Sequence, residues 1–316
     1  MRSAAADARP HRTAFLVLAH DDPALLNRLA DRLAPNDLFL HLDRRSAITP
    51  GDLAGLDRVN LVADPIATYW ADFSLVEATL RLIEAALKAG QYDHLVLISG
   101  HCYPIRPVSE LAAMLAAHPR GNFLQLVEIR ANSFLYGRIA RHWRNRPLAP
   151  AALYRSALYP ARLDDLAVRA INKLSGWRHR DFAREIDPSV PCYGSQWWAI
   201  TCDAARELLE GETAQRLKRP FRSTFAPDET YIQTVLGTVL DRGAIIGPDA
   251  DLGYRTVLDA PLHHVAADDG RWIQDNAKTR AELADSGKFF TRKIKSNQTE
   301  LLDWIDSNLL DIGNAK

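Results

Sequence analysis

The sequence predicts an α/β fold, a mostly parallel sheet flanked by helices. Three observations predict it. Short apolar runs recur along the chain, and several are followed by stretches with the apolar spacing of a helix. Turn and capping residues separate the two kinds of segment. Polar residues collect where the runs end, at His20, His41 with Asp43, Asp64, Ser99 with Gly100, and Glu128. Ligands of open parallel sheets sit outside the carboxyl ends of the strands. Singly these residues read as ordinary loop polarity; as a set they favour a small-ligand crevice.

The elements follow in order. AFLVLA (Ala14–Ala19) suits a buried parallel strand. Asp22 then Pro23 reads as N-cap and first helical position, with Leu25, Leu26, Leu29 and Leu33 on one face. LFLHL (Leu38–Leu42) and VNLVA (Val59–Ala63) are the next two strands. SLVEATLRLIEAALKAG gives a helix with a Ser74–Glu77 capping box, a Val76, Leu80, Ile83, Leu87 stripe and a stop at Gly90. HLVLIS (His94–Ser99) is the fourth strand; a helix from about Ser109 and a strand NFLQLV follow. From Arg130 to Arg184 arginines and prolines accumulate, reading as a surface excursion. YGSQWWAIT (Tyr193–Thr201) has strand alternation, which sends Trp197 and Trp198 to opposite faces, one of them toward a groove or partner. Helices are expected from Asp203, through APDETYIQTVL (Ala226–Leu236), and at TELLDWIDSNLL.

Composition narrows the function classes. The chain has 316 residues, 47% hydrophobic and 25% charged, with 39 basic and 39 acidic side chains. Zero net charge supplies no global field for nucleic acid or an anionic membrane. Cys102, Cys192 and Cys202 have no CxxC spacing, which fits a reducing compartment better than a disulfide scaffold or zinc site. No apolar run approaches the roughly 20 residues that span a bilayer. Residues 1–12 read as a flexible tail. The expected location is the cytoplasm, with the inner face of the membrane as the place of any peripheral association. Neither GxGxxG nor GxxxxGK[ST] is present.

Four features carry chemistry. Asp228 and Glu229 follow Pro227 at a helix start, where a carboxylate is either a cap or a general base at a pocket rim. Arg138, Arg141 and Arg144 surround His142 and Trp143, a mixture that suits a solvated helix face or an anionic or sugar ligand. Asp249-Ala250-Asp251 is a literal DxD, yet it follows Gly-Pro and reads as a turn. Where a nucleotide-binding strand would deliver a DxD, after HLVLIS, the chain has Ser99-Gly100-His101. No metal is expected.

Several of these stretches, in order, resemble the Core-2/I-branching enzymes, the family of β-1,6-N-acetylglucosaminyltransferases and peptide O-xylosyltransferases. They are the opening strand with His20, LFLHLDRRS, SLVEATLRLIEAAL, LVLISGHCYPIRPVSEL, GSQWWAIT, APDETYIQT, GYRTV and FFTRKI. The resemblance implies a GT-A-like single domain over residues 13–310. Residues 13–130 would form the nucleotide-binding half, 131–190 an acceptor-side excursion, and 191–310 the catalytic and diphosphate-binding half. It implies inverting, metal-independent transfer of a sugar, GlcNAc or xylose, from a UDP-sugar to a glycan or glycolipid-linked hydroxyl. Polysaccharide biosynthesis in a compact bacterial-type member is the analogy.

The same resemblance assigns residues. Glu229 is the expected base, and Lys293 with Arg255 or Arg292 meets the diphosphate. The resemblance places His20 and Asp43 near the uridine and Arg138, Arg141 and Arg144 on the acceptor side; strand-end position adds Ser99 and Gly100 to the nucleotide site, and their aromatic faces suit Trp197 and Trp198 to a sugar acceptor. The usual SGxDYP stands here as SGHCYP, with Cys102 in place of the acid. Two other readings stay open: a non-catalytic sugar- or nucleotide-sugar-binding protein, and a metal-dependent transferase using Asp249 and Asp251.

Overall fold

The computed structural model describes residues 10–53, 59–130, 135–148, 161–175, 180–249, 260–265 and 272–311. The main sheet has seven strands: β1 (Thr13–Ala19), β2 (Asp37–Leu42), β3 (Val59–Leu61), β4 (His94–Ser99), β6 (Asn122–Phe123), β9 (Ala199–Thr201) and β10 (Ile245–Ile246). Their order is β10-β6-β9-β4-β1-β2-β3. β1 lies between β2 and β4, parallel to both, with Phe15 opposite Leu38 and Val96. β9 runs antiparallel to β4 and β6, so the sheet is mostly parallel. Strands from both the 13–130 and 191–310 stretches share it.

Alternation along the strands sorts side chains onto two faces. Leu16, Phe39, Leu95 and Leu97 pack on one side with α2 (Ser74–Ala89), α7 (Cys202–Glu210) and α9 (Tyr231–Val239), through Val76, Ile83, Leu208, Ile232, Val235 and Leu236. Phe15, Val17, Val96 and Ile98 pack on the other with α1 (Pro23–Leu33) and α3 (Val108–Ala117), through Leu26, Leu29, Leu33, Leu111 and Leu115. The N-cap at Asp22 forms as expected: its carboxylate accepts from Leu25 N at 3.1 Å. The α2 capping box does not form. Phe73 is the N-cap, and Ser74 N instead donates to Asp72 Oδ1 at 2.8 Å.

A second sheet positions the C-terminal cations. β5 (Cys102–Pro104), β11 (His263–Val265) and β12 (Phe290–Arg292) form it in the order β11-β12-β5, with Arg292 opposite Cys102. α11 (Thr299–Asn308) packs Leu301, Leu302 and Ile305 against Leu25, Tyr103 and Ile294.

Two expected strands are corrected. NFLQLV splits into β6 and β7 (Val127–Glu128), and β7 pairs with β8 (Cys192–Tyr193) in a separate two-stranded sheet. YGSQWWAIT splits into β8 and β9, so Trp197 and Trp198 are not on a continuous strand. The described part of the excursion holds α4 (Tyr136–Ile139), α5 (Ala161–Ser175) and α6 (Phe182–Ile186). Its Trp143 N donates to Ser223 O at 2.7 Å and Asn145 Nδ2 to Ala71 O at 2.7 Å, sewing it to the loop after Phe221 and to the loop before α2. α8 (Glu212–Phe221) and α10 (Ala277–Asp285) complete the helices among the described residues.

Candidate active site

A cleft of about 420 Å³ opens at the carboxyl ends of β1, β2 and β4. His20, Asp43, Ser99, Trp197, Arg292 and Lys293 all line it. Asp43, just past β2, is held by four groups. Arg45 N donates to Oδ1 at 2.7 Å, Thr68 N to Oδ2 at 2.9 Å, and the Thr68 hydroxyl and Arg45 guanidinium close the ring. Burial opposes its ionisation, but the hydrogen bonds from Arg45 and Thr68 prevail and hold the carboxyl below its ordinary range. His41 Nε2 accepts from Ile66 N at 3.0 Å, and burial lowers its pKa, so the ring is neutral with its proton on Nδ1.

Arg292 enters from the second sheet. Its guanidinium lies 4.5 Å over the Trp197 ring, and its Nε is buried with no hydrogen-bond partner. Among the described residues, neither Arg292 nor Lys293 has a carboxylate within ion-pair distance. Burial lowers the pKa of both, Lys293 being pushed further by its cationic neighbour Arg292. Among the described residues Cys102 is the hydrogen-bonding neighbour of Arg292, and a guanidinium carried indoors there suits an anionic ligand.

Pro227–Glu229 forms one 3-10 turn ahead of α9. Glu229 Oε2 receives a short contact from Arg138 Nη1 and the Tyr193 hydroxyl at 3.1 Å. Both contacts fall on one oxygen, so Oε1 is the one turned to other partners. Burial and the Glu229 charge raise the Tyr193 pKa, which keeps that hydroxyl a donor. Gly194 N donates to Glu229 O at 2.9 Å, and a Cβ on Gly194 would stand 2.0 Å from Gln125 O. No side chain larger than hydrogen fits this support.

Asp228 is the buried member, 8% exposed, and its Oδ1 has no partner. Burial, then the adjacent Glu229 charge, push its pKa far above the carboxylate range. It caps nothing: the turn has no side-chain cap. Glu229 is not among the residues lining the cleft, but its charge acts on Arg292. Aromatic rings gather around Arg138 and the cleft. Arg138 lies over Tyr193 and Phe225, and Trp70, 78% exposed at the cleft, meets Phe225 edge-on at 5.4 Å.

One further group gathers at the cleft mouth. His20, Asp21 and His101 have ligand atoms all within 4.8 Å of one another, a set capable of holding a metal ion.

The family model for Core-2/I-branching enzymes matches residues 13–245. The chain belongs to that family. Its members are glycosyltransferases, and the seven-stranded sheet with helices on both faces is their GT-A-like fold. No curated protein matches the chain. A solved structure described as a mycobacterial protein is similar at 14% identity, covering 61% of this chain and 54% of that one, with a TM-score of 0.28. The chain thus spans about half of that protein, and at this TM-score the likeness carries no argument about fold or function.

Within this Core-2/I-branching chain the expected residues separate into groups. His20, Asp43, Ser99, Lys293 and Arg292 share the cleft, although the last two lie beyond the family-matched residues. Gly100 packs instead of lining: a Cβ there would meet Ala19 Cβ and Leu26 Cδ2 at 3.0 Å. Trp198 is fully buried, and Trp197, which lines the cleft, lies beneath Arg292. Arg138 reaches Glu229, whereas Arg144 Nη2 donates to Pro147 O and Arg141 stays exposed. Arg255 and Asp251 lie outside the described residues. Asp249 is exposed beyond β10, at the sheet edge remote from the cleft strands.

Sequence reasoning missed Tyr193, Trp70, Phe225 and the Asp21–His101 pair. A tryptophan in the polar loop ahead of α2 was the only local signal for any of them.

Proposed function

We propose that this Core-2/I-branching chain transfers GlcNAc or xylose from a UDP-sugar to a hydroxyl of a glycan or glycolipid-linked acceptor, with inversion to a β-linkage. The observation that carries the reading is the Arg292–Lys293 pair in the cleft, two cations with no acidic partner among the described residues, across from the hydrogen-bonded Asp43. Uridine sits toward Asp43 and the diphosphate toward the cations. Trp70 and Phe225 offer the acceptor ring an apolar face beside Glu229.

Glu229 Oε1 takes the proton of the acceptor hydroxyl. That oxygen bonds to the anomeric carbon as the bond from carbon to the diphosphate oxygen breaks, and UDP departs with the electron pair. Arg292 and Lys293 meet the charge that grows on the leaving group; together they match the charge of a divalent cation, so transfer needs no metal. Preorganised charge of this kind usually supplies the largest share of catalysis. Arg138 and Tyr193 position the base by holding Oε2.

The test is UDP release from UDP-GlcNAc and UDP-xylose by EDTA-treated protein, with and without glycan acceptors. Turnover is expected with one donor, and Lys293→Ala should weaken UDP binding far more than uridine binding. Strict dependence on added Mn²⁺, or equal loss of UDP and uridine in the variant, overturns the reading.

A further inference from the structure

We propose that His20, Asp21 and His101 form a binding site for a first-row transition-metal ion of the Zn²⁺ class at the mouth of the cleft. This site is independent of the proposed glycosyl transfer, which draws on no metal.

His101 is buried, 8% exposed. Its Nδ1 lies 3.1 Å from Ile294 O, a carbonyl that can only accept. The proton is therefore on Nδ1, and on a neutral ring Nε2 carries a lone pair. That lone pair points at Asp21 Oδ1, 2.7 Å away. Two lone pairs at this distance repel unless a cation lies between them. A proton is one choice, which would make the ring an imidazolium between two acceptors. A metal ion is the other, and a backbone carbonyl on the far ring nitrogen is the orienting partner that metal-bound histidines use.

His20 completes the set, with Nε2 3.4 Å from the same Asp21 oxygen. Tetrahedral ligands at about 2.0–2.1 Å from an ion lie roughly 3.3 Å apart. The exposed His20 and Asp21 side chains reach that spacing by small rotations. The backbones that carry them are pinned. Asp22 caps α1 and accepts from Ser296 N at 2.8 Å, Ser46 Oγ donates to His20 O at 2.8 Å, and Ile294 N donates to His101 O at 3.1 Å.

Two imidazoles and one carboxylate select zinc-like ions over Mg²⁺ and Ca²⁺, which prefer oxygen. Three protein ligands leave a fourth position for water or another donor. Neither histidine nor the aspartate was singled out as a ligand by spacing, because they come from two loops that only the β1–β4 pairing brings together.

The test is titration of the EDTA-stripped full chain with Co²⁺, followed by visible absorbance, and with Zn²⁺ by calorimetry. One equivalent with a tetrahedral Co²⁺ band and no heat from Mg²⁺ is expected. His20→Ala and Asp21→Asn change exposed side chains and should each weaken binding by about 100-fold or more, at least the loss an outer-shell change brings. No Co²⁺ band, comparable Mg²⁺ binding, or binding unchanged in the His20→Ala/Asp21→Asn double variant overturns the site. The last outcome would place the ion elsewhere, for example at His11 and His94. None of these results bears on UDP release, so the two proposals fail separately.

Discussion

Two buried aspartates of this chain face opposite circumstances. Asp306 on α11 is ringed by donors: Arg28 Nη2 at 2.7 Å, Arg32 Nη2 at 2.6 Å and the Tyr103 hydroxyl at 2.7 Å. Asp228, beside Glu229, has an Oδ1 with none. Burial opposes ionisation at both. At Asp306 the hydrogen bonds overcome it and the pKa falls; at Asp228 nothing does and the pKa rises. The satisfied acid fastens α11 to α1 and to the sheet that delivers Arg292. The unsatisfied one sits where the proposed base must be held. An orphaned polar group in a native interior calls for such an explanation. Stability resides at one aspartate, and strain tolerated for a site at the other.

The largest expected effect tests the functional end of this contrast. Glu229→Gln keeps the shape and the Tyr193 contact but cannot take a proton. A placed general base is typically worth about 10²–10⁴ in rate. The variant should lose turnover by that factor while binding UDP as before, measured by UDP release and calorimetry. Near-normal turnover would remove Glu229 from the mechanism.

The structural end comes next. Asp306→Ala leaves Arg28 and Arg32 without their shared carboxylate. Breaking a buried pair by removing one partner costs about 3–5 kcal/mol; these arginines are partly solvated, so about 3 kcal/mol is expected in urea unfolding. A loss under about 1 kcal/mol would make this a surface-like ion pair. Because the pKa of Asp306 is depressed, its contribution is complete above the unfolded value near 4 and disappears as pH falls through the lower folded value.

Gly194→Ala reaches both ends at once. The added methyl meets the Gln125 carbonyl, which has little room to yield. Overpacking of this kind costs about 1–3 kcal/mol. Since Gly194 N holds Glu229 O, turnover should fall together with stability. Full turnover in a destabilised variant would show that the base does not depend on this support.

How legible these features were in the sequence follows from the range of the interactions that make them. HLVLIS coincides with β4, and the Asp22–Pro23 start with its four leucines describes α1, because caps and stripes are local. Asp43, Lys293 and Glu229 were nameable through motifs. The continuous strand expected through Trp197 and Trp198 is broken, because alternation assumes one unbroken strand, and the chain leaves one sheet at Tyr193 and enters another at Ala199. Arg138 and Glu229 are 91 positions apart, and no periodicity encodes their pairing. The same holds for Asp21 with His101.

The smallest effect sharpens the comparison most directly. Asp228 has a raised folded pKa, so between the unfolded value near 4 and that raised value the native state binds the extra proton. Stability from this residue therefore declines as pH rises through the window, opposite in sign to Asp306. Asp228→Asn removes the titration and little else, since every other group is shared with the parent. The difference in unfolding free energy between variant and parent should move in favour of the variant as pH rises from 5 to 7. Urea unfolding at the two pH values measures it. A flat difference would mean that Asp228 is ionised and paired in the native chain. A shift in favour of the parent would mean that its folded pKa is depressed, like that of Asp306, and the contrast between the two aspartates would collapse.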